Sequence, residues 1–334
     1  MHPALQALIT IVIGVGGCVG YFYASNLVLD KVIFPARGPN AGQNINRANQ
    51  VRPWLFLLPA LIALGVYLAY PVFATLWLSF HDKTGDAYVG LDNYRTMLGE
   101  PKFWESLRNN MLWLIVVPAM STAFGLLAAQ LTDRIKWGNI AKSLIFMPMA
   151  ISFVGASVIW KLVYDARPEG QEQIGILNAI YLALGGDHPQ QWLQIPFWNN
   201  FFLMAVLIWI QAGFAMVILS AALRAIPEET IEAAILDGAN PFQIFFRIKV
   251  PQIMSTIVVV WTTITITVLK VFDIVLAMTN GEWNTQVLAN YMFAKLFRSG
   301  TGDWGVGSAA AMVIMLLVTP ILIWNVYNAR KEMR

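Results

Sequence analysis

Residues Pro227 to Pro251 read PEETIEAAILDGANPFQIFFRIKVP. This stretch decides the fold, because it spells two short capped helices set between long apolar runs. Pro227 suits a first helical position, and Glu228 and Glu229 follow where acids complement the positive end of a helix dipole. Gly238 is placed to end that helix in a left-handed cap. Asn240 then caps a second helix that starts at Pro241 and is closed by Pro251. Long uncharged runs flank this stretch on both sides, and the segments they belong to are long enough to cross a bilayer. The expectation is a helix–glycine–helix elbow between two membrane spans, a built object that a partner can grip.

The composition agrees. Apolar residues make up 57 % of the 334 residues and charged ones 12 %, about half the roughly 25 % usual in soluble proteins. Such a chain belongs in a membrane, and this overrides the two soluble domains that length alone suggests. A net charge of +3 gives no case for nucleic acid. Cys18 is the single cysteine, so a disulfide within the chain and a cysteine-ligated metal are excluded.

Working outward from the elbow, apolar periodicity predicts seven transmembrane helices in an all-α integral membrane protein. The first, Ala4 to Leu29, competes with a signal peptide. No Lys or Arg precedes it, however, and no cleavage site stands out. Its Gly14, Gly16, Gly17 and Gly20 offer either a close-packing face or a lipid face. Asp30 to Arg52 is expected as a polar loop and Pro53 to Phe80 as the second span. His81 to Arg108 forms a mixed polar loop in which Gly90-Leu91-Asp92-Asn93-Tyr94 is a turn leading into a short amphipathic piece. Asn109 to Thr132 and Ser143 to Tyr164 are the third and fourth spans, joined by a basic loop. Asp165 to Asn200 is polar with a small helix near Ile176 to Leu184; Trp192 and Phe197, with Trp113 and Trp160, suit an interfacial belt. Phe201 to Leu223, Gln252 to Met278 and Trp304 to Asn328 complete the seven, with Gly281 to Asp303 as a loop. The division is an N-terminal extra helix and loop, 1–52, and a six-helix core, 53–334, with the elbow at 227–251.

Basic residues set the orientation. With the elbow inside, the cytoplasmic segments hold thirteen Lys and Arg and the opposite side seven. The positive-inside rule then puts the N-terminus outside and the elbow and C-terminus in the cytoplasm.

Enzymatic chemistry has little material. His2, His81 and His188 are far apart and fall at the outer surface, without metal-ligand spacing or a nucleophile-base grouping. No Gly-rich phosphate loop with Lys-Ser/Thr occurs, so any nucleotide hydrolysis needs a separate subunit. Transport fits better. Lys270 and Asp273 stand three apart in the sixth span, either as a mutually satisfied pair or lining a polar pathway. Thr262, Thr263, Thr265 and Thr267 add hydroxyls that can equally bond their own helix. Lys161 snorkels. Gln211, beside Gly213 with Trp209 and Phe214 near it, either glues helices together or bonds and stacks on a sugar. A secondary carrier wants a carboxylate in the spans, and Asp273 is the only candidate.

With the spans placed, the elbow resembles the EAA signature of permease subunits of binding-protein-dependent ABC importers. Glu232-Ala233-Ala234, Gly238 and Ile248-x-Val250-Pro251 match it at every position, save that Val250 replaces the usual leucine. Asp237-Gly238-Ala239, Phe245 and Ala225-Ile226-Pro227 are similar to its carbohydrate branch. So are Gly90-Leu91-Asp92-Asn93-Tyr94, Lys270-Val271-Phe272-Asp273 and Thr279-Asn280-Gly281. The extra first span and charged loop look most like the α-glucoside group within the maltose and α-glucoside permeases.

The resemblance implies an ATP-driven carbohydrate importer of the bacterial inner membrane. The elbow would be the coupling helix, seated in a groove of a cytoplasmic ATPase subunit. Glu232 would be its polar anchor, Ala233 and Ala234 would permit close approach, Gly238 would make the sharp turn, and Asp237 would belong to the same coupling contact. The implied partners are a second homologous permease, two copies of the ATPase that bind ATP and Mg, a periplasmic sugar-binding protein and membrane lipid; this chain itself would hold no cofactor. Positions matching the sugar site of maltose permeases are Leu207, Ile210, Gln211, Phe214, Ile264, Val268 and Val271, next to Lys270. Several are apolar where a maltose site carries amides or hydroxyls. The alternatives are a permease for another solute, such as glycerol phosphate or a polyol, or a secondary carrier.

Overall fold

The computed structural model describes residues 3–38, 40–133, 135–298, 300 and 302–332. Among them there is no β-strand, only an isolated bridge between His81 and Tyr88. The chain divides into two units, Met1–Ala74 and Thr75–Arg334.

In the first unit, α1 (Pro3–Val28) runs into a π turn at Leu29–Ile33. Then α2 (Ala41–Leu64) passes through a second π turn, Gly65–Ala69, into α3 (Tyr70–Leu78), whose residues from Thr75 on belong to the second unit. The expected loop from Asp30 to Arg52 is therefore short. Its second half is helical, because polar amides and arginines raise hydrophilicity without breaking a helix. Arg52 reaches back to pair with Asp30 at 2.6 Å. Pro59 lies inside α2 and has no N–H for the Leu55 carbonyl one turn before it. The Tyr21 hydroxyl of α1 donates to that oxygen at 2.7 Å, and Phe22 meets Phe56 edge to face.

The second unit holds α4 (Asp92–Gly99), α5 (Pro101–Thr132), α6 (Gly138–Phe146), α7 (Phe153–Val163), α8 (Ile176–Ala183) and α9 (Trp198–Arg224). After these come α10 (Glu228–Leu236), α11 (Pro241–Gln243), α12 (Val250–Gln252), α13 (Met254–Leu269), α14 (Asp273–Met278), α15 (Leu288–Phe297) and α16 (Trp304–Glu332). Two predicted spans are broken. The fourth bends by 106° between Ala150 and Phe153, where the Ser152 hydroxyl caps α7 by accepting from Gly155 N–H. The sixth ends at Leu269 and resumes at Asp273. The expected loop from Gly281 to Asp303 contains α15, which packs on α16. Trp113, expected at the interface, is fully buried in the core, and His81 is buried with its Nδ1 2.7 Å from the Trp77 carbonyl.

Five helices among the described residues are long and apolar enough to cross a membrane, and up to seven if each bent pair counts as one. The hydrogen bonds say which way the chain runs. At one end Asn109 of α5 and Asn200 of α9 both donate to the Asn284 carbonyl, at 2.9 and 3.3 Å. At the other end Arg224 of α9 bonds Asp133, just past α5. So α5 and α9 run parallel, and the chain must return between them. It does so through the bent pair, since Lys142 of α6 bonds Ser220 while Tyr164, after α7, bonds the Phe202 carbonyl.

Lipid tails are as apolar as leucine, so close van der Waals packing holds such helices together. The α5–α9 contact is the tightest case. A Cβ at Gly125 would lie 2.4 Å from Ala215 Cβ and 2.8 Å from Met216 N. Around it Val117, Leu207, Met216, Leu219, Ile264 and Val268 form the buried centre.

Candidate functional site

The elbow forms as its residues require. α9 ends at Arg224, and Ile226 is buried beneath the turn. Pro227, in an extended conformation with ψ 134°, precedes α10 one residue earlier than a first-turn proline; Glu228 and Glu229 occupy the first turn. Gly238 takes φ +80°. Its N–H donates to Ile235 O at 3.0 Å and Ala239 N–H to Ala234 O at 2.9 Å, closing the helix end in a left-handed cap.

The second limb opens with a reciprocal capping box. Gln243 N–H donates to Asn240 Oδ1 at 2.9 Å, and Asn240 N–H donates to Gln243 Oε1 at 2.8 Å. From Pro241 the helix continues through a π turn at Ile244–Lys249 to Gln252, past the expected stop at Pro251, and bends by 71° into α13. A proline among the first residues of a new helical turn lacks only an N–H that the turn does not need.

What the elbow presents is the functional point. Glu232, Ala233 and Asp237 are exposed, and Glu232 has no partner among the described residues. Ala234 and Ile244 are buried where the two limbs meet. Leu236 and Phe242 are 87 % and 77 % exposed, and Ile235 and Phe246 are also uncovered. Large apolar side chains bare beside one another are unusual on a free surface and suit one that is covered by another protein.

Within the helices, Leu207, Ile210, Val268, Val271 and Ile264 come together, but in the packed apolar core, with Phe214 against it. Gln211 is 9 % exposed and its amide makes no hydrogen bond among the described residues. Lys270 and Asp273 do not share a helical face, because the helix breaks between them. They form no ion pair with each other and line a small cleft with Phe153, Leu207, Thr267 and Val271. The four threonine hydroxyls all bond carbonyls of their own helix, so they offer the pathway little.

Two clusters escaped the sequence reading. At the far end from the elbow, amides of Asn109, Asn199 and Asn200 hold the backbone of Trp283, Asn284 and Gln286. Trp283 and Asn284 sit at φ +52° and +62°. The doublets Asn109-Asn110 and Asn199-Asn200 at the starts of two spans were the available signal. Beside the elbow, Asp133 accepts from Lys142, Ser220 and Arg224. Partial burial pushes its pKa up, but bonds from Lys142, Arg224 and Ser220 outweigh this and hold it below the usual carboxylate value.

Comparison with known proteins agrees with this geometry. Residues 121–334 match the family described as binding-protein-dependent transport system inner membrane component. The chain is 64 % identical over 335 residues to the alpha-glucoside transport system permease protein AglF of Rhizobium meliloti, covering 99 % of each. It is 48 % identical to the osmoprotective compounds uptake permease protein GgtC of Synechocystis, over 84 % of this chain and 100 % of that one. It shares its fold with a chain of a bacterial alginate ABC transporter solved with an alginate pentasaccharide-bound periplasmic protein. There the TM-score is 0.72 and the identity 20 %, with 88 % of this chain and 99 % of that one covered. With its capped elbow and bundle of apolar helices, the chain belongs to the binding-protein-dependent transport system inner membrane components, as a permease subunit of an ABC importer.

Proposed function

We propose that this chain carries α-glucosides across the inner membrane as one half of a permease pair, driven by a separate ATPase through the elbow. The observation that carries the coupling role is Glu232, exposed and without a partner among the described residues, on a capped elbow with Leu236 and Phe242 bare beside it. The substrate class rests on the 64 % identity to an α-glucoside permease along nearly the whole chain.

In this reading the six-span core is residues 53–334, preceded by an extra span, with the N-terminus outside and the elbow and C-terminus in the cytoplasm. A second, homologous permease completes the pathway, two ATPase subunits bind ATP and Mg, and a periplasmic protein delivers the sugar. ATP binding closes the ATPase pair, and the elbow transmits that motion to the helices. Glu232, Ala233, Ala234, Asp237 and Gly238 form the coupling contact. Gln211, Phe214, Ile210, Leu207, Val268, Lys270 and Val271 are the pathway candidates, Gln211 foremost because its buried amide is free to bond a sugar hydroxyl. A second reading, uptake of a compatible solute, is favoured by the 48 % identity to the osmoprotectant permease.

Reversing one charge tests the coupling. Glu232→Lys should leave the subunit inserted while ATP-driven uptake falls more than about tenfold; undiminished uptake sinks the coupling role. Competition of labelled maltose uptake by α-glucosides and by compatible solutes separates the two substrate readings.

A further inference from the structure

Two cations mark the ends of the elbow, Arg224 just before it and Lys249 in its second limb, and both are tied to the C-terminal end of α5. Asp133 Oδ1 accepts from Arg224 Nε at 3.0 Å and Nη2 at 2.9 Å, from Ser220 Oγ at 3.0 Å, and from Lys142 Nζ. Lys142 also donates to Ser220 Oγ at 2.6 Å. Three residues earlier on the same face of α5, Gln130 Oε1 accepts from Lys249 Nζ at 3.3 Å. One carboxylate thus gathers the ends of α5, α6 and α9, and the neighbouring amide adds the limb that leads into α13.

From this arrangement we infer that the last turn of α5 is the mount of the elbow, with Asp133 a positioning residue that passes elbow movement to three helices together. The inference rests on the coupling role proposed above. Exposed single ion pairs contribute little. Here, however, the Asp133 and Lys142 side chains are only 18 % and 14 % exposed. Removing the acid leaves two cations facing each other without an anion, one of them largely buried. The donors come from two helices, Lys142 from α6 and Ser220 and Arg224 from α9, so the hub ties α6 as well as α9 to the end of α5. Lys142 lies within α6, the first limb of the bent pair α6–α7, and Arg224 closes α9. A shift of the elbow therefore reaches a broken helix and a straight one through one side chain, as rigid-body switching requires.

The test uses the complete transporter in proteoliposomes, with its partner subunits and binding protein, and measures ATP hydrolysed and solute imported per assembled complex. In Asp133→Asn the solute rate should fall roughly 5- to 20-fold while hydrolysis falls less than about twofold. The ratio of ATP to solute therefore rises, and Asp133→Glu restores it. Arg224→Gln, which changes the exposed member of the hub, should raise the ratio to a smaller extent and serves if Asp133→Asn fails to assemble. A wild-type ratio in these variants, whether both rates hold or both fall together, overturns the inference. Glu232→Lys in the same assay separates the failures. If its ratio too is unchanged, the coupling role of the elbow falls; if only the Asp133 and Arg224 variants are silent, the mount alone falls.

Discussion

Gly238 tests whether the elbow is held by its own backbone. Its φ of +80° is a conformation that side chains with a Cβ resist, and a Cβ built there meets nothing within 4 Å. The cost of a side chain at this position is therefore conformational rather than steric within this chain. For alanine it is about 1–2 kcal/mol, which shifts an opening equilibrium by roughly 5- to 30-fold. Valine, β-branched, costs more, and asparagine, which visits this region far more readily, costs least. The hydrogen bonds at risk are Gly238 N–H to Ile235 O and Ala239 N–H to Ala234 O. Amide hydrogen exchange at Gly238, or at its replacement, and at Ala239 in the assembled transporter should therefore speed up in the order Asn, Ala, Val, with ATP-driven uptake falling in the same order. Asparagine as damaging as alanine would refute the reasoning. It would mean that the space around position 238 is filled by a partner and that bulk, not backbone, decides.

Two other substitutions probe the helices. Gly125→Ala drives a Cβ into Ala215 and the backbone of Met216, so it should cost about 1–3 kcal/mol as overpacking and lower the melting temperature of the purified complex. Adding Ala215→Gly should restore part of that loss, and no recovery argues that the contact is misplaced. Tyr21→Phe should cost about 1 kcal/mol because it strips the Leu55 carbonyl of its donor. In a Pro59→Ala background, where the helix supplies its own N–H, the same change should cost almost nothing; equal costs in the two backgrounds refute the idea that Tyr21 compensates for the proline.

The parts legible in the sequence are those whose cause is local. The caps at Gly238 and at Asn240-Pro241-Gln243 depend on residues within one turn and stand where the sequence puts them. Hydropathy located the apolar segments but said nothing of helix continuity. It therefore smoothed over the break at Ser152 and the one from Lys270 to Phe272, and turned the polar start of α2 into a loop. The Lys270–Asp273 pair fails for that reason: a three-residue spacing places side chains on one face only while the helix persists. Contacts such as Ser220 to Asp133, 87 residues apart, leave no periodic trace at all.

The two alanines of the motif show how a local signal still needs the fold. They are adjacent in sequence, and the resemblance gives both the same task of admitting a partner closely. On a helix, neighbours point about 100° apart, so one surface cannot use both equally. Ala233 is exposed, whereas Ala234 is 8 % exposed where α10 meets Ile244 of the returning limb. A larger side chain at 234 therefore has to separate the two limbs before any partner is felt, while one at 233 meets only what docks from outside. Small size serves external approach at 233 and internal closure at 234. The free face of the elbow is accordingly the one shared by Glu232, Ala233 and Leu236, and Glu232 stands on it without a competing partner among the described residues.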